Sequence, residues 1–288
     1  MELCLGTVQF GLNYGISTNS QPDKQECFNI LDHAMQNGIN IFDTAKGYGT
    51  SEQILGKYLK NKNRSSFKIA TKFSKITGTL CEFEEEINFS LKNLNLNYVD
   101  FYLLHKVESL KEESAFIGLK YLKEKGLIKK CGISVYSPEE AIEAVNSPYI
   151  DCIQVPYNVI DRRLDKVGFF KIAKEKNKIV FCRSILLQGL LLMPKEVAEQ
   201  KVKNSGAIID DYHKLCKRFN VTPLQFASAY IKQKEEIDYC IFGVDNLEQL
   251  KNNIELQRYE IPKKAIFEAD ELFADVNEYI LDPRQWAK

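Results

Sequence analysis

The sequence predicts an α/β protein whose 288 residues form one (β/α)8, or TIM, barrel. Short apolar runs alternate with amphipathic segments along almost the whole chain, which is the pattern of a parallel sheet with connecting helices. The runs are nearly continuous in apolar character, as strands are when both faces of a sheet are covered. Eight such runs favour a closed barrel over an open sheet. In chain order the predicted strands are ELCLGTV, INIFDTA, FKIATKF, VDFYLLH, KKCGISV, DCIQVPYN, KIVFCRS and DYCIFGV.

The segments between these runs are predicted helices, because their apolar residues recur every three or four positions. Gly38 and Gly126 follow two of them, where a glycine commonly ends a helix. The stretch 193–221 is longer and more polar than the other connections, so we expect a loop and an additional helix there. The clearest helical segments are DKQECFNILDHAMQNG, EFEEEINFSLKNLN, AFIGLKYLKEKG and NLEQLKNNIEL.

The composition predicts one globular domain that does not bind a large, highly charged partner. No linker rich in Pro, Gly or Ser divides the chain, so we expect a single domain over residues 1–288, with a helical C-terminal tail from about residue 262. Lys and Arg together number 39, as do Asp and Glu, so the formal net charge is zero. We therefore expect neither nucleic acid nor a membrane as a partner, and the sequence indicates no oligomeric state. The start MELCLGTVQFG lacks the features of a signal peptide, which predicts a cytoplasmic protein.

The eight cysteines are far apart, and none forms a C-x-x-C pair. We therefore expect no metal site. Cys152 and Cys182 lie inside predicted strands, so buried thiols that act as small apolar side chains are the favoured interpretation. Disulfide bonds, zinc ligation and a catalytic cysteine are the alternatives.

Polar residues lie at the ends of three consecutive predicted strands. Asp43 ends the second strand and Tyr48 lies in the loop after it, while Lys72 ends the third strand and His105 the fourth. Catalytic residues of a (β/α)8 barrel lie at the carboxyl ends of the strands, so these four side chains should meet at one mouth. Each has an ordinary alternative as a capping acid, a loop aromatic, a solvated lysine or a structural histidine. Their recurrence on consecutive strands favours a catalytic cluster.

The chemistry of these four residue types suits reduction of a carbonyl. A phenol normally loses its proton near pH 10, and a neighbouring ammonium lowers that pKa. A carboxylate beside the lysine keeps the lysine charged, and an imidazole can bind the substrate oxygen or help to move a proton. None of these side chains can supply a hydride, so a cofactor must do so.

The segments FDTAKGYG, IATK and DFYLLH, together with LGTVQFG, GISVYS, IQVPYN and SILLQGLL, resemble motifs of the aldo-keto reductases. The match covers about residues 3–253. The resemblance implies reduction of a small carbonyl substrate by NADPH or NADH. It implies that Tyr48 is the general acid, that Lys72 lowers the pKa of Tyr48 and that Asp43 pairs with Lys72. It also implies that His105 orients the carbonyl.

The same resemblance implies a cofactor site across the barrel mouth, without the G-x-G-x-x-G motif of other dinucleotide-binding folds. Ser134 and Gln154 match residues that hold the nicotinamide amide, and the loop with Ser184, Leu186 and Gln188 matches the one along the pyrophosphate. The last strand-to-helix loop matches the one near the adenine ribose. The implied cofactor-binding residues are Gly6, Thr7, Asp43, Ser134, Gln154, Arg183, Ser184, Leu186, Gln188, Gly243, Gln249 and Asn253.

Three positions depart from the family pattern. Val135 stands where an Asn often follows the serine, so one amide contact is missing. Arg183 stands where many members stack an aromatic ring on the nicotinamide; its planar guanidinium can also stack, or can meet a phosphate or an anionic substrate. Gln249 replaces the usual arginine at the 2′-phosphate of NADPH, and Asp245 lies close in sequence. An acid suits a free ribose hydroxyl better than a phosphate, so the family preference for NADPH should be weakened.

Two other functions fit parts of the same pattern. One is a non-catalytic, nicotinamide-binding regulatory protein on the same barrel, which turnover of a carbonyl would exclude. The other is an aldolase in which Lys72 forms a Schiff base, which borohydride trapping would detect but which leaves the cofactor motifs unexplained. The opening LGTVQFGLNYGI resembles a bacterial subgroup associated with surface-polysaccharide genes, which implies a sugar-derived carbonyl.

Overall fold

The computed structural model describes residues 1–16 and 21–286 as a single α/β domain. The described residues form eight parallel strands that close into a barrel in chain order, with the eighth strand beside the first. The predicted (β/α)8 barrel is confirmed. The strands are β1 (Glu2–Gly6), β2 (Ile41–Asp43), β3 (Lys68–Phe73), β4 (Val99–Leu104), β5 (Ile128–Ser134), β6 (Cys152–Pro156), β7 (Ile179–Arg183) and β8 (Tyr239–Gly243).

Helices cover the outside of the barrel, and several of them begin at capping side chains. Thr79, Ser137 and Thr222 each accept a bond from the backbone N–H three residues on, in reciprocal capping boxes. Gly38 and Gly126 have left-handed φ angles of 79° and 72°, as expected for glycines that end helices. The helices of the described ranges are α1 (Val8–Gly11), α2 (Lys24–Gln36), α3 (Ser51–Leu59), α4 (Leu80–Leu94), α5 (Glu113–Glu124), α6 (Pro138–Asn146), α7 (Arg163–Lys166), α8 (Phe169–Glu175), α9 (Lys195–Lys201), α10 (Gly206–Arg218), α11 (Pro223–Lys232), α12 (Leu247–Leu256), α13 (Lys263–Leu272) and α14 (Glu278–Leu281).

The longest connection is more helical than the sequence suggested, whereas the predicted helical tail is confirmed. The stretch 193–221 holds two helices, α9 and α10, instead of one loop and one helix. The tail contributes α13 and α14, and its last two residues, 287–288, lie outside the described residues. All eight cysteines are free, and Cys81 is exposed while the other seven are buried. Among the described residues, no helix is both long and apolar enough to cross a membrane, and no group of three or more His, Cys, Asp or Glu residues is placed to hold a metal.

Aromatic side chains close the inside of the barrel below its mouth. The rings of Phe101 and Phe181 meet edge to face with centroids 5.1 Å apart, and Tyr239 stacks on Phe181 at 4.7 Å. These rings belong to a buried cluster inside the barrel that also contains Cys4, Ile41, Ala70, Leu103, Cys152 and Ile241. Because the interior is filled, a ligand can reach the barrel only from its mouth.

The register of the strands brings their last residues to one rim. Gly6 is paired with Asp43 on one side and with Gly243 on the other, and Ser134 is paired with Gln154. Lys72, one residue before the end of β3, is paired with Leu103. The residues singled out in the sequence therefore share one end of the barrel, although they are far apart in the chain.

Candidate active site

The loop that carries Tyr48 is held in a tight turn between β2 and α3. The backbone N–H of Tyr48 donates to the carbonyl of Ala45 at 2.9 Å, and the Tyr48 carbonyl accepts from the N–H of Ser51 at 3.0 Å. Gly11, at the end of α1, packs so closely that a Cβ there would overlap the carbonyl oxygen of Tyr48. Gly49 has a φ of 55°, and a Cβ on it would overlap the carbonyl oxygen of Gly11. Two glycines thus fix the backbone beside the phenol.

Lys72 lies at the centre of the buried polar cluster. Its side chain is fully buried, and Nζ lies 2.9 and 2.8 Å from the two carboxylate oxygens of Asp43. Nζ also donates to the carbonyl of Thr44 at 2.8 Å and contacts the hydroxyl of Tyr48 at 3.4 Å. Since a buried ammonium is costly unless it is paired and hydrogen-bonded, this complete set of acceptors accounts for its position.

Burial, more than Lys72, sets the protonation of Tyr48. Burial raises the pKa of Tyr48 above its usual value of 10.0, while Lys72 opposes that shift and Asp43 reinforces it. Lys72 acts on the pKa of Tyr48 in the downward direction that the resemblance implies, but the loss of water on burial outweighs it, so the net pKa is raised. Burial also opposes the charge of Lys72, but Asp43 and Tyr48 outweigh it and raise the Lys72 pKa. The phenol and the ammonium both keep their protons at neutral pH.

His105 follows β4 and faces the ring of Tyr48. Its backbone N–H donates to the carbonyl of Phe73 at 3.0 Å, and its imidazole meets the phenol edge-on, with ring centroids 6.1 Å apart at 84°. Burial, with Lys72 and Arg183 adding to its effect, lowers the pKa of His105 to about 3. The imidazole is therefore neutral near pH 7, so it can form hydrogen bonds but carries no positive charge.

Gln154 joins Asp43 to the opposite wall of the barrel. Its side-chain amide donates to Asp43 Oδ1 at 2.9 Å, and its Oε1 accepts from the hydroxyl of Ser134 at 3.2 Å. All three side chains are buried. The two residues expected at the nicotinamide amide thus lie together, and one of them holds the carboxylate that neutralises Lys72.

Arg183, at the end of β7, is fixed by two hydrogen bonds and an aromatic ring. Nη2 donates to the carbonyl of Val135 at 2.8 Å, and Nη1 donates to the hydroxyl of Ser184 at 3.3 Å. The guanidinium lies over the ring of Tyr136, 4.2 Å from its centroid. Val135 itself is fully buried, so its side chain offers no polar contact to a ligand.

The loop after β7 has an unusual backbone. Ser184, Leu187, Gln188 and Gly189 have φ angles of 61°, 48°, 56° and 92°, within a stretch that ends in a turn of 3-10 helix (Leu187–Leu192). Left-handed φ angles are uncommon outside glycine and are kept where the surrounding structure imposes them. The side-chain amide of the buried Asn158 donates to the carbonyl of Ser184 at 3.1 Å and so supports this conformation.

At the other end of the mouth, Asp245 and Gln249 bind each other across the start of α12. The backbone N–H of Asp245 donates to Gln249 Oε1 at 2.9 Å, and the Gln249 amide donates to Asp245 Oδ2 at 3.3 Å. The N–H of Gln249 is capped by Asn246 at 2.9 Å. The acid that the sequence placed near Gln249 is therefore in direct contact with it.

A single cleft of about 290 Å³ runs along the barrel mouth past both of these ends. Lys72, His105 and Ser134 do not line it; they lie behind or beside residues that do. The cleft is also lined by residues that the sequence analysis missed, among them Gln9, Tyr14, Leu192, Leu224 and Asn252. The residues singled out in the sequence that line it are Gly6, Thr7, Asp43, Tyr48, Gln154, Arg183, Ser184, Leu186, Gln188, Gly243, Gln249 and Asn253.

The chemistry of the cleft fits a dinucleotide. Its walls combine apolar side chains such as Ile241 and Phe242 with amides and hydroxyls. Gln9 Oε1 is buried without a hydrogen-bond partner, so it is an acceptor that a ligand N–H or hydroxyl can satisfy. Gln9 follows the first strand closely, and only the pairing of β1 with β8 brings it against Gly243.

The fold and the cleft are those of an oxidoreductase on a (β/α)8 barrel, and the comparisons identify its family. Residues 2–274 match the model of the aldo/keto reductase family, so the chain belongs to that family and is an NAD(P)H-dependent oxidoreductase. Reduction of carbonyl compounds is typical of the family.

Relatives and solved structures agree with that assignment. The chain is 28% identical to a probable aldo-keto reductase 1 of Glycine max, over 87% of this chain and 81% of the relative. It is 26% identical to an NADH-specific methylglyoxal reductase of Escherichia coli (strain K12), over 87% of this chain and 88% of the relative. A glycerol dehydrogenase from Gluconobacter oxydans superposes with a TM-score of 0.75 at 21% identity, covering 98% of this chain and 93% of the other, which shows the shared fold.

Proposed function

We propose that the protein reduces an aldehyde or ketone to an alcohol and that Tyr48 donates the proton to the carbonyl oxygen. The observation that carries this proposal is the buried contact of Lys72 Nζ with both the Tyr48 hydroxyl, at 3.4 Å, and the Asp43 carboxylate. Burial keeps Tyr48 protonated beyond neutral pH, because its pKa is raised. The proton is therefore present on the phenol when a carbonyl oxygen arrives.

The neighbours of Tyr48 act on the charge that proton transfer leaves behind. Lys72 stabilises the phenolate by its positive charge, and Asp43 keeps Lys72 charged and in place. His105 is neutral, and its ring lies at right angles to the Tyr48 ring, so its imidazole can form a hydrogen bond with the carbonyl oxygen. A bound NADH or NADPH supplies the hydride to the carbonyl carbon.

The residues of the cleft suggest where the two parts of the cofactor bind. Gln154, with Ser134 behind it, offers amide and hydroxyl groups beside Tyr48 for the nicotinamide amide. Ser184, Leu186 and Gln188 line the middle of the cleft, and their loop is the proposed neighbour of the pyrophosphate. The proposed adenosine end is formed by Gly243, Gln249 and Asn253. The other proposed cofactor-binding residues that line the cleft are Gly6, Thr7 and Arg183.

We propose that NADH binds within roughly tenfold of NADPH, a difference of about 1.4 kcal/mol or less. Gln249 stands at the position of the usual arginine and is hydrogen-bonded to Asp245, so the adenosine end offers a carboxylate where a 2′-phosphate needs cations. The NADH-specific relative from Escherichia coli is consistent with such a preference within the family.

A sugar-derived carbonyl is the substrate class that we propose to test first. The support is the opening LGTVQFGLNYGI, with its resemblance to a polysaccharide-associated subgroup. No contact in the described part of the structure favours the regulatory or the Schiff-base function over this one, because Lys72 is bound by Asp43 and Thr44 and does not line the cleft.

The replacement Tyr48→Phe tests the proposed acid. It removes the phenol proton and keeps the ring, so turnover should fall about 100- to 10,000-fold. NADH affinity, measured by fluorescence titration, should change little, because the hydroxyl is not proposed to hold the cofactor. The matched control is Tyr149→Phe, since Tyr149 lies on the surface before β6 and should leave turnover unchanged. Carbonyl reduction by Tyr48→Phe at the rate of the unmodified protein would exclude Tyr48 as the acid.

A further inference from the structure

Arg183 places a positive charge in the cleft without a carboxylate to neutralise it. The residue is half-buried and lines the same cleft as Tyr48. Its two hydrogen bonds go to neutral oxygens, the Val135 carbonyl and the Ser184 hydroxyl. Within residues 1–16 and 21–286, no carboxylate lies within salt-bridge distance of its guanidinium.

The neighbouring cations are arranged differently. Lys72 is paired with Asp43, and Arg163 is paired with Asp161 through Nε at 2.8 Å. Arg284, in the tail, donates to both carboxylate oxygens of Asp282. Each of these cations lies beside its own acid, whereas the charge of Arg183 is turned towards the cleft.

The side chain of Arg183 is already held in place in the protein without a ligand. The guanidinium carbon of Arg183 lies 4.2 Å from the centroid of the Tyr136 ring, and that of Arg284 lies 4.0 Å from the same centroid. Both guanidinium groups therefore pack against the same ring. Because the side chain of Arg183 is already fixed, binding an anion would cost little additional side-chain entropy.

The charge of Arg183 influences ionisable groups near Tyr48. It contributes, after burial and Lys72, to the low pKa of His105, and it opposes the rise that burial causes in the pKa of Tyr14. Both rings lie near Tyr48, because His105 faces the phenol and Tyr14 lines the cleft beside it. An anionic group bound at Arg183 would therefore lie within reach of a carbonyl at Tyr48.

We propose that Arg183 determines specificity for a carbonyl substrate that carries an anionic group, either a carboxylate or a phosphate. This inference rests on the carbonyl reduction proposed above. A guanidinium binds the oxygens of either group through charge-assisted hydrogen bonds, and its planar shape suits both. The reacting carbonyl is reduced as before, with the hydride from the nicotinamide and the proton from Tyr48, so the anionic group takes no part in the bond changes.

The pyrophosphate of the cofactor is the competing anion for Arg183. The two assignments differ in what is lost when the charge is removed. A pyrophosphate contact would serve every substrate alike and would appear in cofactor affinity. A substrate contact would appear only for substrates that carry an anion.

Matched pairs of aldehydes distinguish these assignments. One pair is 4-carboxybenzaldehyde and its methyl ester, and the other is glyceraldehyde 3-phosphate and glyceraldehyde. In each pair the ratio of kcat/KM for the anionic to the neutral member is measured with NADH, in the unmodified protein and in Arg183→Gln. For at least one pair, the ratio should favour the anion in the unmodified protein and should fall about 10- to 100-fold in the variant. Arg183→Lys, which keeps the charge, should retain part of the preference.

Arg218→Gln is the matched control, since Arg218 is paired with Glu268 on the surface and does not line the cleft. It should leave both ratios unchanged. Circular dichroism and thermal unfolding show whether each variant is folded, and Arg183→Lys carries the test if Arg183→Gln is not.

Two results would overturn the inference. One is equal kcat/KM for the anionic and neutral members of both pairs in the unmodified protein. The other is a loss in Arg183→Gln that is equal within each pair and accompanied by weaker NADH binding, which would assign Arg183 to the pyrophosphate. Failure of the unmodified protein to reduce any of the four aldehydes, or any other carbonyl, would instead contradict the proposed function itself.

Discussion

The two ends of the cleft hold their carboxylates in opposite ways. At the catalytic end, Asp43 is 4% exposed and binds the buried ammonium of Lys72 and the amide of Gln154. At the proposed adenosine end, Asp245 is partly exposed, and its carboxylate accepts a hydrogen bond from the side chain of Gln249 in α12. One carboxylate joins three strands of the barrel, and the other joins two neighbouring turns of one segment.

The difference shows which end can change without unfolding the protein. A charge pair that is removed from water is costly to break, because the remaining charge is left buried. A hydrogen bond between partly exposed side chains that are close in sequence contributes less. The proposed catalytic role of Asp43 is therefore tied to stability, while the proposed cofactor preference at Asp245 and Gln249 is less constrained by it.

The largest expected effect comes from breaking the buried pair. Asp43→Asn leaves the ammonium of Lys72 without its counter-charge, so the free energy of unfolding should fall by about 3 to 5 kcal/mol. Chemical denaturation with urea measures it. The matched comparison is Asp245→Asn, which keeps an oxygen that can accept from Gln249 and should therefore cost less than Asp43→Asn. Equal losses from the two replacements would show that the two ends do not differ as described.

A second replacement tests the backbone of the catalytic end. Gly11→Ala pushes a methyl group into the Tyr48 carbonyl, so it should cost about 1 to 3 kcal/mol of stability and lower kcat by displacing the phenol. Gly47→Ala lies in the same loop, where a Cβ meets nothing within 4 Å, and it should do neither. The two variants are compared by thermal unfolding and by turnover at saturating substrate. An unchanged kcat in Gly11→Ala would mean that the turn does not position Tyr48.

Lowering the pH should reduce the free energy of unfolding, because folding keeps His105 unprotonated. Its pKa of about 3 in the folded protein is below the ordinary 6.5, so between pH 6.5 and pH 3 the unfolded chain binds a proton that the folded protein does not. Stability should therefore fall as pH decreases through this window, by up to about 1.4 kcal/mol per pH unit. His105→Gln should reduce the slope of unfolding free energy against pH. An identical slope in the variant and in the unmodified protein would show that His105 is not responsible.

The smallest expected effect concerns cofactor choice at the adenosine end. Gln249→Arg combined with Asp245→Ser removes an acid and adds a cation where the 2′-phosphate is proposed to lie, so NADPH affinity should rise relative to NADH by about tenfold or more. Calorimetric titration of both cofactors measures the ratio, and the unfolding free energy should hardly change. A thousandfold preference for NADPH in the unmodified protein would show that a basic residue elsewhere already binds the phosphate.

The fold and much of the candidate site were predictable because both follow from local pattern. Alternating strands and helices gave the barrel, and the rule that strand ends face one mouth brought Asp43, Lys72 and His105 together before any contact was known. The sequence placed Asp245 near Gln249, but the contact between them could not be read from helical spacing, because Asp245 precedes the N-cap of α12. A cytoplasmic location and a sugar-derived substrate stay predictions.

What the sequence could not give depends on burial and on distant pairing. The pKa of Tyr48 rises because the loop is desolvated, and no spacing of residues reports the loss of water. The stack of Arg183, Tyr136 and Arg284 joins the barrel to the tail across more than half of the chain. Tyr14 and Gln9 were missed because an aromatic or an amide after a first strand carries no distinctive pattern.

The pH dependence of kcat/KM for carbonyl reduction tests the central claim most directly, because it reports the ionisations of the free enzyme. We expect kcat/KM to be constant from about pH 6 to about pH 9 and to fall only above about pH 10, where Tyr48, whose pKa is raised, loses its proton. The small residual activity of Tyr48→Phe should lack that alkaline fall. A fall centred near pH 6.5 to 7 that persists in Tyr48→Phe would contradict the account, because a group other than Tyr48 would then be donating the proton.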